Sequence, residues 1–200
     1  MHTNLFYKSF CRNRKSLIPF CIFEQEQTYI RELLMNRPPT YWIEHLNLQR
    51  HPEGGFYKET YRSPDKIPVD GLPVRFFGAR NVSTAIYFLL QAPDRSLFHR
   101  IKSDEVWHFH AGDTLNIYIL SDKGLVTQQL GPNLETGDSL QVVVPANHWF
   151  GASVAGAGSY TLSSCTVAPG FDFKDFELAD RANLLNEFPM HHSIINKLTA

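Results

Sequence analysis

From residue 56 onward, short runs rich in Val, Ile, Phe, Tyr and Thr alternate with turn residues. This pattern predicts strands at 56–61, 74–79, 82–90, 96–101, 105–111, 114–120, 125–130, 140–144, 149–154 and 160–167. The runs have the usual length of a strand, and many short strands at this rhythm predict a sandwich or barrel. Ahead of them, Ile30, Leu33 and Leu34 fall on one face of a helix expected over 24–36, which Pro38 and Pro39 stop. Thr40 can cap a second short helix over 41–46, and His51-Pro52-Glu53-Gly54-Gly55 reads as a turn. From Phe176 to Leu198 the alternation is lost, and the tail predicts helices broken at Pro189 and packed outside the barrel. The chain has no internal repeat and no low-complexity tract.

Composition narrows the class. With 43% hydrophobic and 20% charged residues among 200, the chain can build one well-buried domain, expected over 41–198 behind an extension and helix over 1–40. A net charge of -1 without a basic stripe gives no footing for phosphate backbones or anionic lipid, so neither nucleic acid nor membrane is an expected partner. No apolar run reaches the roughly 18 to 20 residues that cross a bilayer. Cys11, Cys21 and Cys165 are widely spaced and form no Cys-x-x-Cys pair, which fits a reducing compartment. The cytoplasm is the expected location. Residues 1–23 carry Lys8, Arg12, Arg14 and Lys15 and no Asp or Glu, so organelle targeting is an alternative to an extension without a folded role.

The candidate chemistry lies between residues 98 and 150. His99, Glu105 and Gly112 stand at a spacing that resembles the first cupin motif, Gly-x5-His-x-His-x3,4-Glu-x6-Gly, with Ile101 in place of the second His. Pro145-Ala146-Asn147-His148-Trp149-Phe150 resembles the second motif, with Asn147 at its Gly and Phe150 at its His. Alternate residues of a strand share a face. If His99 points inward, Leu97 and Ile101 do so too; Glu105 inward brings Trp107 and Phe109 with it and sends His108 and His110 outward. An imidazole beside a carboxylate suits proton transfer next to a carbonyl, so His99 and Glu105 are the candidate catalytic pair. Trp107 and Tyr118 are candidates to stack on a ligand ring, and Asn147 suits a left-handed turn position near the site. His99 and Glu105 are two metal ligands where a catalytic metal usually takes three, so no cofactor is expected, and a divalent metal at this pair is the alternative.

Beyond these motifs, the run from His51 through Gly55-Phe56-Tyr57-Lys58-Glu59 to Ser63, the segment Ser83 to Leu90, Ser103 to Trp107 and Pro169 to Phe173 resemble the uncharacterised cupin-5 family over about residues 43–198. The resemblance implies a double-stranded β-helix (cupin jelly-roll barrel), commonly a homodimer, with a pocket in the barrel mouth and no established reaction. The family is itself similar to dTDP-4-dehydrorhamnose 3,5-epimerases, whose opening strand reads Gly-Phe-Phe-x-Glu. That similarity implies His99 as the base and Phe56 and Glu59 near the nucleotide end of a ligand, while the epimerases' Asp partner for the base and their Lys and Tyr context find no match. The expected function is binding of a small polar molecule, a sugar nucleotide or carbohydrate, with metal-independent epimerase or isomerase chemistry. The alternatives are a metal-dependent dioxygenase or lyase and a non-catalytic binding module.

Overall fold

The computed structural model describes residues 37–157 and 159–200. The chain enters through helix α1 (Pro39–His45), then β1 (Gln49–Arg50) and β2 (Phe56–Arg62). A short pair, β3 (Lys66–Ile67) and β4 (Arg80–Asn81), precedes the long strands β5 (Thr84–Gln91), β6 (Arg95–Arg100), β7 (Asp104–Gly112), β8 (Leu115–Ser121) and β9 (Gly124–Leu130). β10 (Gln141–Val144), β11 (Trp149–Val154), β12 (Tyr160–Ala168) and β13 (Glu177–Leu178) follow, and helices α2 (Arg181–Glu187) and α3 (His192–Lys197) close the order. The strands form a six-stranded sheet, β1-β2-β5-β12-β7-β10, and a five-stranded sheet, β13-β6-β11-β8-β9, with antiparallel pairing throughout both.

The alternating side chains decide how these sheets stack. Phe88, Trp107, Val142 and Cys165 of the first sheet pack against Ile117, Ile119, Phe150 and Ala152 of the second in one buried core. The jelly roll that the resemblance implies is therefore the architecture observed. Residues of opposite parity are buried too, because helices cover the outer faces. Phe98 faces Leu184, Ile195 and Leu198 of the tail, while Leu89 and Leu162 pack under Trp42 and Ile43 of α1. Full burial of a side chain such as Phe98 is worth about 1.5–3 kcal/mol, so these helices hold the strands that carry the site.

Residues 74–79 are a correction. The apolar run is not a strand: Phe76 N–H bonds to the Pro73 carbonyl in a turn, Val74 and Phe77 are exposed, and Phe76 alone is buried, near the Arg80 guanidinium. Pro73 and Gly78 frame the run, and it pairs with no strand among the described residues. The tail helices stop on either side of Pro189, as their periodicity predicts, although β13 precedes them. The helix expected over 24–36 lies outside the described residues. Among the described residues, no helix is long and apolar enough to cross a membrane.

Candidate functional site

Strand parity brings His99, Ile101, Glu105 and Trp107 to one cavity of about 110 Å³ between the sheets. His99 comes from β6 of the five-stranded sheet and Glu105 from β7 of the six-stranded one, so they reach the cavity from facing walls. Phe88, Ile86, Val167 and Cys165 line it from β5 and β12, and Phe171, Phe173 and Phe176 from the segment after β12. Glu59 and Arg62 of β2 also belong to the lining.

The turn at 51–55 supplies two groups that strand periodicity does not reveal. Gly54 and Gly55 adopt φ of 113° and 72°, and a Cβ at Gly54 would collide with the Arg95 carbonyl. Glycine is thus required for the turn to lie against β6, where the Leu97 N–H donates to the Glu53 carbonyl at 2.8 Å. This docking carries the Glu53 and His51 side chains into the cavity.

Glu53 then joins several groups. Its Oε1 accepts from Ser96 Oγ at 2.8 Å, its Oε2 lies 3.1 Å from His99 Nε2, and the same oxygen is 3.4 Å from His51 Nδ1. His99 Nδ1 donates to the Leu97 carbonyl at 2.7 Å, which leaves Nε2 as the acceptor in the neutral ring. Burial raises the Glu53 carboxyl, against the opposing pull of His51 and Ser96, and burial lowers His99. Both directions favour one neutral pair, in which the Glu53 carboxyl donates its proton to His99 Nε2. His51, lowered by burial, stands edge-on to Tyr57 with centroids 4.5 Å apart.

Glu105 has a different environment. Burial, and next the neighbouring Glu53, push its carboxyl up to about 7, opposed by His99 and by a hydrogen bond with the Cys165 thiol. Cys165 is buried and raised well above the ordinary thiol value, so it serves as a thiol donor and not as a thiolate.

The donor set does not fit the metal that the cupin motifs would hold. Ile101 and Phe150 occupy the second and third His positions, and the Phe150 ring packs against the His99 ring, centroids 4.0 Å apart and planes tilted by 57°. Both His99 nitrogens already have partners, and among the described residues no three His, Cys, Asp or Glu side chains converge as a metal-binding group.

Three expected contacts fall elsewhere. Phe56 packs with Leu48 and Leu89 on the outer face, under the Arg50 guanidinium at 4.1 Å. Tyr118 lies with the tail helices, its ring 5.8 Å from Lys197 Nζ. Asn147 has the left-handed backbone its turn requires, φ 63°, and its N–H donates to the Ile101 carbonyl at 2.8 Å, but its side chain borders a separate open depression with Arg100 and Lys123. His108 bonds Gln141 and Thr166, away from the cavity, as parity expects.

Comparison with known proteins agrees with this architecture. Residues 40–179 match the family model Cupin_5, described as Cupin superfamily (DUF985). A Shewanella oneidensis protein of known structure is 41% identical, covering 80% of this chain and 95% of that one at a TM-score of 0.71. A hypothetical protein from Leishmania major is 36% identical, covering 82% and 99% at a TM-score of 0.74. An uncharacterised protein of Saccharomyces cerevisiae is 30% identical over 154 residues, 70% of this chain and 76% of its own length.

Proposed function

Because the chain belongs to the Cupin_5 family of the cupin superfamily, which fixes its fold and leaves its chemistry open, we propose that it binds a small polar organic molecule in the barrel and isomerises it by proton transfer. The observation that carries this reading is the His99 Nε2 to Glu53 Oε2 contact of 3.1 Å in a cavity also lined by Glu105. In this reading Glu53 serves as the carboxyl partner of His99. One wall of the cavity holds a proton between Glu53 and His99, and the other offers a carboxyl that titrates near neutral pH. Glu105 as the carboxylate takes a proton from carbon next to a carbonyl, and the Glu53–His99 pair gives up the proton it holds to the other side. The two walls re-equilibrate through water once product leaves, so the ligand is rearranged without net loss of atoms.

The ligand class is a compact carbohydrate or related carbonyl compound. A cavity of about 110 Å³ is below the roughly 300–1,000 Å³ of drug-sized sites, and Phe56 packs away from it, so a nucleotide moiety has no place inside. Native mass spectrometry with elemental analysis on untagged protein, followed by incubation of any copurifying ligand in heavy water, tests the reading. We expect a small organic adduct that gains deuterium beside its carbonyl with the wild type and not with His99→Gln. A ligand held without exchange would make the protein a binding module, and stoichiometric transition metal would move it to metal-dependent chemistry.

The same reading includes a homodimer. Beyond Tyr57, the outer edge of β2 has no strand partner among the described residues, and Tyr61 on it is exposed. A second copy would cover that edge. A monomer mass by light scattering at micromolar concentration would contradict it.

A further inference from the structure

The cavity buries acid without supplying a matching cation. Its acidic lining residues are Glu53, Glu59 and Glu105, and the guanidinium among them is that of Arg62. Arg62 is already committed: it donates to both Glu59 carboxylate oxygens at 3.0 and 2.6 Å, to Asn81 Oδ1 at 3.1 Å and to the Phe171 carbonyl at 3.0 Å. Glu53 is met by Ser96 and His99. Among the described residues, Glu105 is left with the Cys165 thiol, a weak donor, where a carboxylate offers about four acceptor positions. Burial lowers both His51 and His99, so neither imidazole supplies the missing positive charge.

The remaining walls suit a cation. Tyr57, Phe88, Trp107, Phe173 and Phe176 all contribute rings to the lining. The Trp107 N–H is sealed from solvent and has no partner, so what this residue offers the cavity is the carbon surface of its indole. A carboxylate among aromatic rings attracts ammonium groups through charge and ring quadrupole together, while an anion would meet only further acid.

We propose that the ligand presents a protonated amine or quaternary ammonium group to Glu105, held among these rings. The inference rests on the cavity being the ligand site and not on any reaction there. It names a class of ligand, an aminated sugar or a small hydroxyalkyl ammonium.

Calorimetric titration of the full chain with matched probes tests it. Choline is compared with 3,3-dimethyl-1-butanol, its neutral carbon isostere, and N-methyl-D-glucamine, an alkylamine still charged at about pH 8, with D-glucitol and D-gluconate. At about pH 8 we expect at least one cation to bind about tenfold or more tighter than its neutral counterpart, with gluconate weakest. Glu105→Gln should erase that preference.

Choline is charged at every pH, so its pH dependence reports the protein. Its affinity should fall about tenfold from pH 8 to pH 6 as Glu105 takes up a proton. The groups facing Glu105 are Glu53, His99 and Cys165, with His51 beyond Glu53; protonation of either carboxyl or imidazole on acidification acts in the same direction. This measurement needs no variant and stands if Glu105→Gln does not fold. No cation preference in either probe pair, including no binding at all, overturns the assignment, as does a preference that survives Glu105→Gln. Cation preference without deuterium exchange keeps the amine and removes the reaction, whereas exchange on a neutral ligand does the reverse.

Discussion

Asp175 and Glu105 are both buried carboxyls, at 8% and 7% exposure, yet among the described residues two cations meet the first and none meets the second. Arg80 donates to both Asp175 oxygens at 2.6 and 2.7 Å, and Lys102 Nζ stands 3.5 Å away. The same guanidinium also donates to the Gly78 and Ala79 carbonyls at 2.9 Å. Asp175 ends the turn Phe173–Asp175, next to the segment whose Phe171, Phe173 and Phe176 wall the cavity. The matched pair therefore fixes the wall behind which the unmatched carboxyl sits. Charge is balanced where geometry must hold and left unbalanced where a ligand can complete it.

That contrast can be broken, beginning at the clamp. Arg80→Ala leaves Asp175 buried without its bidentate partner and should lower unfolding free energy by about 3–5 kcal/mol in urea titrations. The double replacement Arg80→Met with Asp175→Leu should recover most of the loss, because it removes both charges together. A loss under about 1 kcal/mol for Arg80→Ala would show that the clamp is not structural.

Glu105 should behave in the opposite sense. Its proton is held up to about 7 in the fold against an ordinary 4.5, so the fold binds the proton more tightly than the unfolded chain does. The stability this contributes is complete below pH 4.5 and is lost as pH rises through 7, a fall of about 3 kcal/mol. Glu105→Gln should flatten that slope and leave the variant more stable than wild type by a similar amount at about pH 8. A variant less stable than wild type at that pH would mean the carboxylate is already well matched. The smallest effect is expected from His99→Gln, which keeps a side chain of similar reach able to bond Glu53, and should change stability by about 1 kcal/mol or less in the same titrations.

The contrast also marks what the sequence reveals. His99, Ile101, Glu105 and Trp107 could be placed together because a strand's alternation assigns faces, and the register carries that alternation into the cavity. Glu53 and His51 were legible only as turn residues. Their burial follows from two glycines pressing the turn onto β6, a contact about 40 residues away in sequence that no local pattern encodes. Cys165 has the parity of Trp107 through direct cross-strand pairing, but that pairing is a fact of register and not of composition. The run at 74–79 misled for a related reason: β-rich residues make a strand only where another strand is beside them.

Phe150, packed against His99, bears on how this barrel could change. A metal centre of the kind the cupin motifs describe would need imidazoles at both 101 and 150, each replacing a buried hydrocarbon, and release of His99 Nε2 from Glu53. Either exchange alone brings the ligands, with His99 and Glu105, to three in number, but puts an imidazole into apolar packing while both His99 nitrogens stay engaged. Conversion to a metallocupin is thus uphill at the first step, with the Phe150 ring acting as a latch against metal capture at this site.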